Sequence, residues 1–256
     1  MISHILLDIE GTTSPVSFVT EILFPYAKSE LKSFLDRHRN DPIINELIHN
    51  AEDEWIQDNS EDSTRLRHQS EKGQQTKDLK IEAYLQLLIQ TDKKSTTLKD
   101  IQGKIWKEGY TTGRISSELF EDAHENLKRW HKQGYRLSVY SSGSVEAQHL
   151  LYKFTNKGDI ENLFSSWFDT HIGNKKEPSS YTAIASVMVC KPQHILFISD
   201  NSDECDAAKN AGLCTLYSMR DGNPQQEPRN HPVISSLEEV EKWIKPKVKG
   251  TKKPPP

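Results

Sequence analysis

Five side chains of this sequence have the types and spacing to do chemistry together. Asp8 ends the apolar run Ile5-Leu6-Leu7, and Glu10 follows it by two residues. Ser141 follows the strand candidate Arg136 to Tyr140, Asp200 follows the run through Ile195 to Ser199, and Lys175 lies between them in Gly173-Asn174-Lys175-Lys176-Glu177. Taken singly, each has an ordinary explanation. An Asp after a strand starts a turn, a loop Lys is a solvated charge, and Ser141 caps a helix. Together, Asp8 and Glu10 offer one carboxylate that can attack and another that can move a proton, the pair needed to hydrolyse a phosphate ester through an acyl phosphate. Carboxylates facing a dianionic ester repel it, so a divalent cation must offset the charge. Asp200 beside Asp8 and Glu10 completes a hard, oxygen-rich site for Mg2+. Lys175, the Ser141 hydroxyl and the N–H groups of Ser142-Gly143-Ser144 at a helix start are suited to the phosphate charge.

The elements around these residues predict an α/β chain. Apolar runs ending on Asp8, Ser141 and Asp200 read as buried strands, Leu213 to Tyr217 as another, and the intervening periodic segments as helices. Strands alternating with helices imply a mostly parallel, Rossmann-like sheet, whose ligands gather at the carboxyl ends of its strands. One helix is expected over 118–133, with Phe120, Ala123, Leu127 and Trp130 on one face, Ser117 as its N-cap and Gly134 as its stop. From Val16 to about Tyr110 the period is helical: Leu31, Phe34 and Leu35; Ile81, Leu85 and Leu88; Leu98, Ile101, Ile105 and Trp106. The expected organisation is a discontinuous catalytic core of 1–14 and 117–244, a helical cap of 15–116 inserted after the first strand, and a disordered basic tail of 245–256 that carries five lysines and four prolines. Within the insertion, 58–78 is almost free of large apolar residues and is read as an exposed loop or mobile segment. A cap of this kind would exclude water and choose the substrate.

Composition narrows the partners. With 256 residues, a net charge of -4 and a pI near 6.2, the chain has no cationic field for nucleic acid. Neither a signal peptide nor a membrane-spanning apolar run is expected from the sequence. Cys190, Cys205 and Cys214 lack CxxC spacing and read as reduced, mostly buried thiols. A cytoplasmic monomer acting on a small phosphate ester is expected.

The ordered set Asp8-Ile9-Glu10-Gly11-Thr12, Ser141, Lys175 and Asp200 resembles the four motifs of the haloacid dehalogenase superfamily, whose first motif is Asp-x-Asp. Glu10 departs from that pattern by one methylene. The same departure, with Ile22-Leu23-Phe24-Pro25-Tyr26, Leu98-Lys99-Asp100-Ile101-Gln102-Gly103, Ser141-Ser142-Gly143-Ser144-Val145-Glu146-Ala147-Gln148 and Phe168-Asp169-Thr170, resembles the acireductone synthases, the enolase-phosphatase family of methionine salvage, over about 4–225. The resemblance implies Asp8 as nucleophile and Mg2+ ligand, Glu10 as acid/base and Mg2+ ligand, Asp200 as Mg2+ ligand, and Ser141, Ser142 and Lys175 on the substrate phosphate. It implies enolisation of 2,3-diketo-5-methylthiopentyl-1-phosphate and then hydrolysis to acireductone and phosphate. Glu10 is a candidate base for the enolisation. Phe18 and Phe24 are candidates for the thioether end, although an aromatic on a helix is more often core. Glu204 stands where many superfamily members have a further acid, but Asp203 is adjacent, and Glu204 reads as a helix-surface carboxylate. Two other readings stay open: a phosphatase of another small ester, and a catalytically silent binding protein.

Overall fold

The computed structural model describes residues 1–72, 77–91, 93–224 and 227–244, so the tail over 245–256 lies outside the described residues. In chain order, β1 (His4–Leu7) is followed by α1 (Phe24–Arg37), α2 (Pro42–Gln57), α3 (Glu61–Lys72), α4 (Lys77–Gln90) and α5 (Thr96–Thr111). Then come α6 (Glu121–Lys132), β2 (Arg136–Tyr140), α7 (Val145–Lys153), β3 (Phe164–Phe168), α8 (Pro178–Val187) and β4 (Ile195–Ser199), and last α9 (Ser202–Asn210), β5 (Cys214–Ser218), β6 (Val233–Ile234) and α10 (Glu241–Ile244). Two compact units result, one of Met1–Phe18 with Ser116–Pro256 and one of Val19–Ile115.

The first unit is an α/β domain with a Rossmann-like sheet in the order β3-β2-β1-β4-β5-β6, every pair parallel. Parallel strands covered on both faces need continuous apolar sequence, and β4 is buried at all five positions. β1 sits between β2 and β4, with Leu7 opposite both Val139 and Ile198. Ala123, Leu127 and Trp130 of α6 are fully buried, as the helical period predicts. Ser117 does not cap this helix. Its N–H donates to Phe154 O at 2.8 Å and its carbonyl accepts from Asn156 N, so the chain is still extended there, and α6 begins after Phe120 without a side-chain cap. The thiol expectation also needs correction: all three cysteines are free, but only Cys205 is buried, and Cys214 opens β5 on an exposed position.

The second unit is helical. Its core joins Leu31 and Phe34 of α1, Ala51 and Trp55 of α2, Ile81, Tyr84 and Leu85 of α4, and Ile101 and Ile105 of α5. Asp41 caps α2 by accepting from Ile43 N at 2.8 Å with Pro42 in the first turn, and Ser95 caps α5 by accepting from Leu98 N at 3.0 Å. Within the polar stretch expected as an exposed loop or mobile segment over 58–78, Glu61–Lys72 forms α3 instead and 77–78 open α4, while 73–76 lie outside the described residues. Tertiary contacts override its composition: Ser63 and Ser70 are buried, Leu66 packs against the core, and Arg65 pairs with Glu61 one turn earlier.

Asp58 ties this unit together. Its carboxylate accepts from Ser60 N at 3.0 Å, from Lys93 Nζ and from Tyr84 OH at 3.4 Å, while its carbonyl accepts from Arg67 of α3 at 2.7 Å. Burial alone would raise the pKa of this carboxyl; the hydrogen bonds from Lys93 and Ser60 outweigh it and hold the pKa at about 2. A depressed carboxyl pKa contributes stability above the unfolded value that is lost as pH falls toward the folded one. In urea unfolding of the helical unit, Asp58→Asn is expected to cost about 1–2 kcal/mol at pH 7. The gap between wild type and variant should narrow between about pH 4 and pH 2; a gap that persists unchanged at pH 2 would refute the electrostatic account.

Candidate active site

Because β2, β1 and β4 are neighbours, their carboxyl ends bring Ser141, Asp8 and Asp200 to one edge of the sheet. Parallel strands deliver their following residues to the same side, which is why three separate polar strand endings can converge. The backbone of Asp8 is fixed by donation to Ile198 O at 3.0 Å, and that of Ser141 by donation to Phe168 O at 3.2 Å.

Lys175 reaches into this edge from the connection between β3 and α8. Its Nζ lies 2.7 Å from Asp8 Oδ1 and 2.8 Å from Glu204 Oε2, with the Tyr140 ring 5.7 Å away. Tyr181 OH donates to the Lys175 carbonyl at 2.7 Å and anchors its backbone. Burial by itself would make this ammonium easier to deprotonate, but the Asp8 and Glu204 carboxylates more than compensate and raise its pKa. Lys175 therefore stays charged and is a buried residue, not a solvated loop cation. Asp8 Oδ1 also accepts from Ile9 N at 2.8 Å, and Oδ2 lies 3.1 Å from the Ser199 hydroxyl.

Glu204 corrects the expectation of a helix-surface carboxylate. At the start of α9 its side chain turns inward, 8% exposed, and contacts Lys175 and Ser199 Oγ at 3.0 Å. Asp203, its neighbour, turns outward to Lys176 and Arg229. The helical period separates two adjacent acids that look equivalent in sequence. One hydroxyl hydrogen cannot serve Asp8 and Glu204 at once. Burial, then the Asp8 charge, raises the Glu204 pKa.

Glu10 is part-buried on the turn after Asp8, and burial followed by the Asp8 charge raises its pKa. Asp200 is pushed up to about 7 by burial and by the charges of Asp8 and Glu204. Its Oδ2 packs over Gly11, where a Cβ would sit 2.2 Å from it. Four carboxylates thus share one edge with a single ammonium. That surplus of negative charge and the all-oxygen donor set of Asp8, Glu10 and Asp200 fit a divalent cation. Among the described residues no three His, Cys, Asp or Glu side chains already converge on one point.

Ser141 is buried, and its Oγ accepts from Gly143 N at 3.1 Å, so this one N–H of the expected phosphate cradle is already engaged. Ser142 is exposed, and Ser144 caps α7 by accepting from Ala147 N at 3.3 Å. Sequence reading missed what holds this loop. Gln148 donates to Gly143 O and Phe168 O at 2.9 and 2.8 Å, and Asp169 Oδ2 accepts from Val145 N at 3.2 Å. Both residues stand inside motifs quoted above, so the signal was present without a role attached. Phe18 is 2% exposed, a core position, while Phe24 is half-exposed beside Trp106.

Residues 2–212 match the model of the haloacid dehalogenase-like hydrolases, and the chain belongs to that family. It is 75% identical over 245 residues to the enolase-phosphatase E1 of Synechococcus sp. (strain CC9902), covering 96% of this chain and 100% of the relative. It is 54% identical over 244 residues to the enolase-phosphatase E1 of Parasynechococcus marenigrum (strain WH8102), covering 95% and 99%. Within the hydrolases it therefore falls in the enolase-phosphatase E1 family. The crystal structure of the UTR4 protein from Saccharomyces cerevisiae superposes with a TM-score of 0.73 at 29% identity, covering 92% of this chain and 98% of that one. Membership in this family implies a divalent metal cation and a small phosphate ester as substrate. No helix among the described residues is long and apolar enough to cross a membrane.

Gly11 has a φ of +67° and leaves no room for a Cβ beside Asp200. Gly11→Ala is expected to lose roughly 1–2 kcal/mol from the left-handed backbone alone, with a further loss as Asp200 is displaced. Differential scanning calorimetry should show a melting temperature several degrees lower; an unchanged value would mean that the turn relaxes freely.

Proposed function

We propose that the chain is a Mg2+-dependent enolase-phosphatase that converts 2,3-diketo-5-methylthiopentyl-1-phosphate to acireductone and phosphate, acting as a cytoplasmic monomer. The observation that carries this reading is the buried Lys175 ammonium seated on Asp8, with Glu10 on the following turn and Asp200 on the next strand end. Mg2+ held by Asp8, Glu10 and Asp200 would offset the repulsion between these carboxylates and a dianionic ester. The helical unit of 19–115 serves in this reading as the cap that excludes water and selects the substrate.

Asp8 is the nucleophile. Its carboxylate attacks phosphorus, an acyl phosphate forms, and the ester P–O bond breaks. The Glu10 carboxyl gives its proton to the departing oxygen. Glu10, now a carboxylate, takes a proton from the water that attacks the acyl phosphate, so Asp8 is regenerated and phosphate leaves. A raised pKa suits a group that must give and then accept a proton near neutrality. Lys175, Ser141 and Ser142 hold the non-bridging oxygens of the phosphoryl group. For the preceding enolisation, Glu10 is the candidate base.

The test follows phosphate release and the ultraviolet absorbance of the enediol together on the diketo phosphate, with Mg2+ or EDTA. Both signals are expected with Mg2+ and neither with EDTA. Asp8→Asn should lower phosphate release at least about 10⁴-fold. Phosphate release from other esters with none from this substrate would keep the phosphatase chemistry and remove the proposed substrate. No turnover across a panel of phosphate esters would favour a binding protein instead.

A further inference from the structure

The turn that carries Glu10 is held from outside at three successive carbonyls. Ser218 Oγ and Asn223 Nδ2 each donate to Gly11 O at 2.9 Å, Arg220 Nη2 donates to Thr12 O at 3.2 Å, and Phe120 N donates to Thr13 O at 3.0 Å. Ser218 ends β5, and Arg220 and Asn223 follow it, so one segment more than 200 residues away supplies three of these four donors. Arg220 is itself fixed by Asp122 at 2.8 Å and lies over the Phe120 ring at 4.5 Å.

Asn223 is the unusual member. Its Nδ2 is shared between Gly11 O and Ser218 O, the latter at 3.3 Å, while its Oδ1 is buried and accepts no hydrogen bond among the described residues. Both partners of Nδ2 are carbonyl oxygens, so turning the amide over would set oxygen against oxygen. A buried acceptor without a partner is destabilising, and it is retained beside the turn that aims Glu10. The same side chain presses on the bare face of Gly11, where a Cβ would lie 2.7 Å from Asn223 Nδ2 and 2.2 Å from Asp200 Oδ2. Asn223 therefore touches the hinge between Glu10 and the rest of the chain on the side that Asp200 also packs against.

We propose that Asn223 is a positioning residue for Glu10: by holding the Gly11 carbonyl it fixes the direction from which the Glu10 carboxyl meets the leaving oxygen. It acts on proton transfer and not on phosphate binding. The proposal rests on the reading of Glu10 as the acid/base.

The experiment measures kcat and KM on the diketo phosphate for wild type, Asn223→Ala, Asn223→Asp, Glu10→Gln and the Glu10→Gln/Asn223→Ala double variant. Asn223→Ala is expected to lower kcat about 10- to 100-fold with KM changed less than about threefold. Asn223→Asp keeps the shape but sets an acceptor against Gly11 O, and should be at least as slow. In the Glu10→Gln background, Asn223→Ala should add less than about a twofold loss. An equal loss in both backgrounds, a loss confined to KM, or a wild-type rate for Asn223→Asp would overturn the proposal. A wild-type rate for Glu10→Gln would instead remove the acid/base reading, whatever Asn223→Ala does. Melting by circular dichroism checks folding; Ser218→Ala, which removes the other donor to Gly11 O, carries the same expectations if Asn223→Ala does not fold.

Discussion

Holding the Lys175 ammonium away from water between Asp8 and Glu204 is favourable only while both carboxylates stay in contact with it, because a buried charge stripped of its partner costs several kcal/mol. Much of the site follows from that condition. The loop from β3 must bring Lys175 inward, so Tyr181 grips its carbonyl. The first turn of α9 must present Glu204 and not Asp203, so Asn201 caps that helix and sets its rotation. Ser199 then bridges the two acids and links the end of β4 to Asp8. Geometry that looks arranged for phosphoryl transfer is also the geometry that makes a buried cation tolerable.

The remaining negative charge is not neutralised by the protein. Glu10, Asp200 and Glu204 all have raised carboxyl pKa values, and in each the Asp8 charge is second only to burial. A site left this electronegative favours a cation, and it repels a phosphoryl dianion until one offsets the charge. Hydrogen bonds to the carbonyls of Gly11, Thr12 and Thr13 hold the turn at that edge.

How far the sequence reveals this depends on the range of the interactions involved. Asp8, Ser141 and Asp200 are legible because an apolar run followed by a polar residue reports a strand and its end within a few residues. Lys175 has no such local mark, and only its place in an ordered set of motifs singles it out. Glu204 and Asp203 differ by one step of helical rotation, which composition does not record. The edge strands β3 and β6 are short or broken by polar residues, as in Phe164–Phe168, and α3 is a helix by virtue of partners from α2 and α4. Ser117 has the residue type of a cap but spends its backbone on Phe154 and Asn156, a contact no local window contains. Asn223 lies in Gly222-Asn223-Pro224, a sequence that reads as an ordinary turn.

The position of β1 at the centre of the sheet has a consequence for how the chain is made. His4 pairs with Arg136 on one side and with Ile195 on the other, and the whole helical unit separates it from both. Contacts so distant along the chain carry a large loop-closure cost and form late. β1 has no strand to pair with until the chain reaches β2, about 130 residues on, and lacks its second neighbour until β4, about 190 residues on. Asp8, at the end of β1, is therefore seated between its neighbours only once β4 has been made, and no partial chain ending before β4 can assemble the site.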